Sequence, residues 1–338
     1  MVAPVTVVIP AYNEESVIDQ TLSSLGRQTM LAENVIVVDA SPIAKSYKNL
    51  SVLRPPKNTG SKAGAQSYAL PFINTKYTIA IDADTSLPHN VIEKMYKFME
   101  SNKETAAASC YVIPKKVTTI WERGRFVEYM FVFPVTKRIQ ELYGKPLISS
   151  GCFSIYDTHE LKAVGGWSAR TMAEDMDLTW TLYEKGKIVR YNQDVLCFPL
   201  EPENVHMMSK QLRRWSHGYL QNVRLHWKKM RKIPVLREQV IAALCDAFLG
   251  SIVFVIVLPL NAILFHDPLT IVYALLADVS FISIPPIVKG YKMKMVRKVL
   301  SSLPFFLLLR LVNMYFFYNA FISEFLLNKS LTKYEKGH

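Results

Sequence analysis

Two aspartates that can bind a metal ion directly follow a short hydrophobic run. Asp82 and Asp84 flank Ala83, immediately after the residues YTIAI at 77–81. Residues two apart in an extended segment point to the same side, so both carboxylates would face one ligand. Carboxylate oxygens suit Mg²⁺ and Mn²⁺, which usually share their ligands with water and phosphate. The pair therefore predicts a divalent-metal site, and a solvated turn or a helix cap remains the alternative.

A second acidic pair opens a predicted helix. Glu174 and Asp175 stand a few residues after the glycine pair at 165–166. Acids in a first helical turn often interact only with the helix dipole. A carboxylate at this position can also act as a general base, because it can take a proton from an attacking hydroxyl. The sequence alone leaves both interpretations open.

Basic and aromatic side chains suited to a phosphate and a sugar lie in two further segments. Residues 57–65, KNTGSKAGA, are small and basic and open a helix, which lets backbone and a lysine approach phosphate. The motif QLRRW at 211–215 lies on an amphipathic helix predicted over 204–231. The guanidinium of Arg214 suits a diphosphate, and Trp215 offers a flat face to a sugar or base. An ordinary helix start and an anchor at the membrane interface are the competing explanations.

Strands and helices alternate along the first 235 residues. Short β-branched runs occupy residues 5–10, 34–41, 77–85 and 106–114, and helical patterns occupy 14–27, 61–70 and 88–101. This alternation indicates an α/β, Rossmann-like fold with a mainly parallel sheet. Such sheets bind ligands at the carboxyl ends of their strands. The polar residues at those ends predict a nucleotide site there; they are Tyr12, Glu14, Asp39, Asp82 and Asp84.

The composition points to a membrane protein. The chain has 338 residues, with 40 Lys and Arg against 28 Asp and Glu, so its formal net charge is +12. Half of the residues are hydrophobic and 20% are charged, which excludes a disordered chain and a coiled coil. The mean hydropathy of +0.12 is high for a soluble enzyme. The four cysteines form no CxxC pair, so a reducing compartment is the simplest interpretation.

Three apolar runs, at 241–265, 268–288 and 299–327, are each long enough to span a bilayer as a helix. Basic residues cluster before the first run and between the second and third, and are absent from the loop after the first. This pattern predicts an integral membrane protein whose residues 1–235 lie on the cytoplasmic side. The net charge then suits membrane lipids rather than nucleic acid. A buried core helix and a re-entrant third segment remain alternatives.

Polar residues in and beside the membrane region give two smaller predictions. Asp278 and Arg310 would each lie about 15 Å deep, where antiparallel helices would bring the two charges together. The amphipathic helices at 118–143 and 204–231 would lie in the membrane interface, or else pack on the domain's own sheet.

The order of the motifs resembles the family 2 inverting glycosyltransferases over residues 4–232. The similarity is greatest to the membrane branch that contains cellulose, chitin and hyaluronan synthases and ceramide glucosyltransferase. The segments that carry it are VVIPAYNEE at 7–15, Asp39, KNTGSKAGA at 57–65, DAD at 82–84, SSGCF at 149–153, GGW at 165–167, ED at 174–175 and QLRRW at 211–215. The family's second-strand motif often has two adjacent acids where this chain has Asp39-Ala40, and its usual threonine before the acidic pair is replaced by Ala173.

The resemblance implies a GT-A fold that binds a nucleotide sugar, usually a UDP-sugar, together with Mg²⁺ or Mn²⁺. Tyr12, Glu14 and Asp39 would touch the nucleoside, and Lys62 the uracil or ribose. Asp82 would hold the nucleotide and Asp84 the metal beside it. Asp175 would be the catalytic base, with Glu174 next to it. Gln211, Arg214 and Trp215 would clamp the diphosphate and line the acceptor site, whose floor would contain Gly151, Cys152 and Phe153.

The domain organisation implied is a catalytic domain over 1–203, an interfacial helix over 204–235, about three transmembrane helices over 236–328 and a polar tail over 329–338. The reaction would be a single displacement that adds a sugar to a lipid or glycan hydroxyl. A processive polysaccharide synthase is the alternative; because three helices are few for a channel, it would need a homo-oligomer or a partner. A non-catalytic membrane scaffold is the third possibility, and the retained acids count against it.

Overall fold

A mixed seven-stranded sheet forms the centre of the N-terminal part. The computed structural model describes residues 1–39, 49–250, 252–266 and 268–333. The strands are β1 (Val2–Ala11), β2 (Leu31–Asp39), β3 (Leu50–Leu53), β4 (Tyr77–Ile81), β5 (Thr105–Val112), β6 (Phe153–Asp157) and β7 (Ile188–Cys197). Their order is β3-β2-β1-β4-β6-β5-β7. Only β6 runs antiparallel to its neighbours β4 and β5 among these strands, so the mainly parallel α/β sheet is confirmed.

Helices connect the strands and continue beyond them. They are α1 (Ile18–Gly26), α2 (Lys62–Ala69), α3 (Val91–Ser101), α4 (Ile120–Phe131), α5 (Arg138–Leu142), α6 (Thr158–Ala163), α7 (Glu174–Glu184), α8 (Val205–Met230), α9 (Pro234–Cys245), α10 (Leu258–Leu264), α11 (Leu269–Lys292) and α12 (Val296–Phe321). A π-helical turn, Val132–Lys137, joins α4 to α5.

The continuous apolar sequence of β1 is explained by burial on both faces of the sheet. Val5 and Val7 belong to the large core shared with α1 and α3, whereas Val8 packs with Ala65 and Ala69 of α2 on the opposite face. Successive side chains of a strand point to opposite faces, so a strand covered on both sides must be apolar throughout. The polar residues that follow β1 are therefore confined to its carboxyl end.

Helix α4 lies between the sheet and α12. Thr119 and Glu122 form a capping box at its start. Phe126 is fully buried in the core of the sheet. On the opposite side, a Cβ added to Gly124 would lie 2.7 Å from the backbone oxygen of Phe305, so glycine permits the close approach of α12. Of the two placements predicted for residues 118–143, packing on the domain's own sheet is the one that the structure shows.

Within the described residues, two helices are apolar and long enough to cross a membrane by length and composition. They are Leu269–Lys292 and Val296–Leu326, with mean hydropathies of 1.9 and 1.6. In the most apolar stretch of each helix, only 17% and 22% of the residues are buried. The core helix of a soluble domain would be mostly buried. The predicted run 241–265 includes residue 251, which lies outside the described residues. Its described parts form the end of α9, two π-helical turns and α10.

Arg310 of α12 forms a bidentate ion pair with Asp278 of α11. Its Nη1 lies 2.6 Å from Oδ2 of Asp278, and its Nη2 lies 3.2 Å from Oδ1. The pairing predicted from the depth of the two residues is confirmed. A guanidinium and a carboxylate matched in this way satisfy each other's charge, which matters most where water is excluded.

Candidate active site

The carboxyl ends of β1 and β4 open into a cleft of about 990 Å³. The two strands are parallel neighbours, so the residues that follow them emerge on the same edge of the sheet. The start of α2, the start of β6, the start of α7 and one face of α8 complete the walls. The predicted site residues that line the cleft are Tyr12, Glu14, Lys62, Asp82, Asp84, Gly151, Cys152, Glu174, Asp175, Gln211, Arg214 and Trp215.

Two predicted residues do not contribute in the same way. Phe153 is the first residue of β6, and its side chain is fully buried in the core of the sheet. Cys152 precedes it, lines the cleft and also packs against the edge of the same core. Asp39 ends β2 in register with Ala11, but its side chain lies outside the described part of the structure.

Lys62 lies among the acids at the centre of the cleft. Ser61 caps the helix by accepting a hydrogen bond from the amide of Gly64 at 3.1 Å, which fixes where α2 begins. From this first helical position, the Nζ of Lys62 lies 2.5 Å from Oδ1 of Asp82 and 3.5 Å from Oε1 of Glu174. It also donates to the carbonyl of Gly151 at 2.9 Å. One ammonium group therefore links β4, α7 and the segment before β6.

Asp175 is held by backbone donors. The amide of Gly151 donates to its Oδ2 at 2.7 Å, and the amide of Met176 donates to its Oδ1 at 2.9 Å. A Cβ added to Gly151 would lie 2.7 Å from that Oδ2 and 2.9 Å from the Nζ of Lys62, so glycine is required at this point. Burial raises the pKa of Asp175 to about 6, and the charge of Glu174 adds to the rise, while Lys62 and the two amides oppose it.

Asp82 and Asp84 provide the hard oxygen atoms of the cleft. Desolvation raises the pKa of Asp82, the charge of Lys62 opposes that rise, and the charge of Asp84 adds to it. Asp84 is buried and accepts a hydrogen bond from the hydroxyl of Thr85 at 3.2 Å. No cluster of three acidic, histidine or cysteine side chains that could hold a metal occurs within the described residues. Two carboxylates still fit Mg²⁺ or Mn²⁺, because these ions commonly complete their shells with phosphate oxygens and water.

Helix α8 brings the QLRRW motif to the acids. Gln211 and Trp215 are four residues apart and share one face of the helix. A Cβ added to Gly218 would lie 2.7 Å from the Cβ of Ala173, so α8 passes directly against the residue before Glu174. The side chain of Asn222 strengthens this contact by donating to the carbonyl of Ala173 at 3.1 Å. This packing places Trp215 and Asp175 on one cleft.

Several residues that line the cleft were not predicted to do so. They are Tyr129, Phe133, Lys137, Glu201, Thr332 and Lys333. The last two lie in the segment after α12, which is anchored by Glu324: its Oε1 accepts from the side-chain amide of Gln221 at 2.7 Å and from the amide of Leu331 at 3.2 Å. Nothing in the local sequence of these residues indicates a cleft, because their contacts arise from distant parts of the chain.

The seven-stranded, mostly parallel sheet with its flanking helices is a GT-A-like fold. The structure is similar to that of a mannosyltransferase from Pyrobaculum calidifontis, solved in complex with GDP-Man and Mn²⁺. The two share 17% sequence identity with a TM-score of 0.59, and the match covers 90% of this chain and 88% of that one. At this identity the likeness shows the fold.

The sequence comparisons find similarity to one family over the first half of the chain. Residues 6–165 match the family model described as glycosyl transferase family 2. A poly-β-1,6-N-acetyl-D-glucosamine synthase of Staphylococcus epidermidis is 25% identical over 63% of this chain and 54% of its own length. The glycosyltransferase YaiP of Escherichia coli is 29% identical over 65% of this chain and 57% of its own. The chain thus matches little more than half the length of these relatives. Residues 6–165 are therefore similar to family 2 glycosyltransferases, and the fold agrees with that similarity.

Proposed function

We propose that this protein is a glycosyltransferase that moves a sugar from a nucleoside diphosphate donor to a hydroxyl group of a membrane lipid or glycan, with inversion at the anomeric carbon. One observation supports this proposal above the others. Asp82, Asp84, Asp175 and Trp215 come from β4, α7 and α8, and all four line the same cleft. Groups that could bind a metal ion with its diphosphate, take up a proton and contact the face of a sugar therefore lie in one cleft.

The donor would bind with its nucleoside toward Tyr12 and Glu14, and with its diphosphate toward Arg214. A UDP-sugar is the donor that the motifs favour, and the similar mannosyltransferase was solved with GDP-Man and Mn²⁺. Asp84, with Asp82 beside it, would hold Mg²⁺ or Mn²⁺. A cation bound there supplies positive charge that stabilises the departing diphosphate.

The proposed base is Asp175. Attack by the acceptor oxygen on the anomeric carbon forms one bond while the bond to the diphosphate breaks, and the carboxylate takes the hydroxyl proton. A pKa of about 6 leaves this carboxylate ionised at neutral pH, yet more basic than an ordinary aspartate. The amides of Gly151 and Met176 hold it in a fixed orientation, which lowers the cost of reaching the reactive geometry.

We propose that α11 and α12 anchor the enzyme in a membrane, with residues 1–203 on the cytoplasmic side, residues 204–235 at the interface and residues 329–338 as a polar tail. Lys289 and Lys292 lie in the last turn of α11, and Arg297 and Lys298 lie in the first turn of α12. Clusters of basic residues favour the cytoplasmic side. A lipid acceptor would then reach the cleft along α4 and α8, which contact α12.

A processive polysaccharide synthase is the second candidate, and the synthase of Staphylococcus epidermidis among the relatives favours it. Extending a polymer and exporting it would require more membrane helices than α11 and α12 provide. A homo-oligomer or a partner would have to supply them. The two candidates share the chemistry of the cleft and differ in the size of the product.

Membranes containing the protein, incubated with a panel of radiolabelled nucleotide sugars and either Mn²⁺ or Mg²⁺, test the proposal. Transfer of label to a solvent-extractable lipid supports a glycolipid-forming enzyme, and a long labelled polymer supports the synthase. Asp175→Asn membranes provide the matched control. Absence of any labelled product from the whole panel would contradict the proposed transfer and favour a scaffold.

A further inference from the structure

Arg125 of α4 lies at the edge of the cleft and belongs to none of the motifs. Its side chain is only 1% exposed. It forms an ion pair with Glu128 on the same helix, and its Nε lies 3.5 Å from Oε2 of Glu201. A buried guanidinium is costly unless its charge is matched, and these two carboxylates supply the match.

The guanidinium reaches two residues of the QLRRW motif. Its Nη2 donates to Oε1 of Gln211 at 2.9 Å, and its Cζ lies 4.6 Å from the centre of the Trp215 ring. Arginine has only donor groups, so Gln211 must present its carbonyl oxygen to Arg125. The NH₂ group of Gln211 then remains to donate elsewhere. A cation at this distance from the indole also restrains the orientation of a ring that is 36% exposed.

The acids that hold Arg125 connect it to other parts of the molecule. Burial raises the pKa of Glu201 to about 7, although Arg125 and a hydrogen bond from Tyr129 oppose the rise. Glu128 accepts a hydrogen bond at Oε1 from the side-chain amide of Asn313 in α12, at 2.9 Å. Arg125 and Glu128 therefore form a series of polar contacts that links α12, a candidate membrane helix, to Gln211 in the wall of the cleft.

We infer that Arg125 is a positioning residue for sugar transfer: it fixes the amide of Gln211 and the ring of Trp215 so that the acceptor hydroxyl reaches Asp175. This inference rests on the proposed function. It assigns Arg125 no contact with the substrates. A lysine at this position would keep the charge but lack the planar fork that contacts Glu128, Gln211 and Trp215 together.

The test is a double-mutant cycle with Arg125→Lys and Trp215→Leu, read by the initial rate of label transfer and by donor affinity. Arg125→Lys alone should lower the transfer rate roughly 10- to 100-fold, because one charge-assisted hydrogen bond and one ring contact are lost. In the Trp215→Leu background the same change should cost several-fold less. Equal fold losses in both backgrounds would overturn the inference.

Two further variants distinguish the loss of a positioning role from a defect in folding. Arg170→Lys is the matched control, because Arg170 makes a bidentate pair with Asp177 outside the cleft and should tolerate the change with an unaltered transfer rate. Glu128→Gln keeps Arg125 but removes one of its anchors. It should lower transfer several-fold, and because the buried guanidinium loses one matched charge it should also lower the thermal midpoint, so transfer is compared at a temperature at which the variant is fully folded.

If Arg125→Lys fails to fold, Glu128→Gln decides the question, and a wild-type transfer rate in that variant would overturn the inference. A wild-type protein that transfers no sugar from any donor would instead contradict the proposed function. An active wild type with equal fold losses would contradict only the role of Arg125.

Discussion

The ammonium group of Lys62 lies 2.5 Å from Oδ1 of Asp82 and 3.5 Å from Oε1 of Glu174. Three acids, Asp82, Glu174 and Asp175, line this part of the cleft, and the charge of Glu174 raises the pKa of both aspartates. Lys62 offsets this repulsion. Its role is therefore electrostatic as much as structural, which yields a prediction about pH.

Lys62→Met should move the acid limb of the pH–rate profile to higher pH. Asp175 must be deprotonated to act as a base, so activity should rise with pH through about 6, the pKa of this carboxyl. Lys62 lowers that pKa, so its removal should raise the midpoint. The measurement is kcat/KM against pH. Lys76→Met is the control, since Lys76 pairs with Glu100 outside the cleft.

Glu174→Gln should shift the same profile in the opposite direction. The charge of Glu174 raises the pKa of Asp175, so neutralising it should lower the midpoint of the acid limb. Glu174→Gln removes a negative charge and Lys62→Met removes a positive one, and the same assay measures both shifts of the midpoint. Shifts in the same direction for both variants would show that Asp175 does not control the acid limb.

Asp175→Asn should separate donor binding from turnover. Asparagine has nearly the same shape and can still accept from one of the two amides, of Gly151 or Met176, through its single oxygen, but it cannot take a proton. We expect donor affinity to stay within about twofold and turnover to fall by roughly 10²- to 10⁴-fold, the range typical of a lost general base. Equilibrium binding of a labelled donor and steady-state transfer provide the two measurements. Turnover close to that of the wild type would remove Asp175 from this role.

Chelation should stop transfer, and Mn²⁺ or Mg²⁺ should restore it. Asp84→Asn should raise the metal concentration needed for half-maximal binding by roughly tenfold or more, because a carboxylate ligand is replaced by a weaker amide. Electron paramagnetic resonance of Mn²⁺, with a nucleoside diphosphate present, measures this change in metal binding directly. Full transfer in excess chelator would argue against a metal at Asp84.

The Asp278–Arg310 pair should stabilise the contact between α11 and α12. Asp278→Ala and Arg310→Ala should each destabilise the protein by about 2 kcal/mol, because each leaves an unmatched charge. The double variant should be less destabilised than the sum of the two single changes. Thermal unfolding in detergent or nanodiscs measures the three effects, and strict additivity would contradict an energetic role for the pair.

Strands β1, β2, β4 and β5 could be predicted from the sequence because burial on both faces makes most of their residues apolar. Strands β3 and β7 were not predicted, since β3 has only four residues and β7 includes polar residues such as Asn192, Gln193 and Asp194. Strand β6 was also missed. It runs antiparallel between β4 and β5, and local sequence gives no sign of that insertion.

The motif residues of the cleft were predictable because their chemical types and order are distinctive. Arg125 and Glu201 were not, since their significance depends on tertiary contacts. Arg125 reaches Gln211 across 86 positions of sequence, and no local pattern encodes such a contact. Of the residues predicted for the acceptor floor, Gly151 and Cys152 line the cleft, while the side chain of Phe153 enters the core.

The anomeric configuration of the product tests the central claim most directly. If Asp175 activates the acceptor for a single displacement, proton NMR of the purified product should show the configuration opposite to that of the donor, with an α-linked donor giving a β-linked product. Asp175→Asn should form too little of it to detect. A product that keeps the donor's configuration would contradict the mechanism proposed for this cleft.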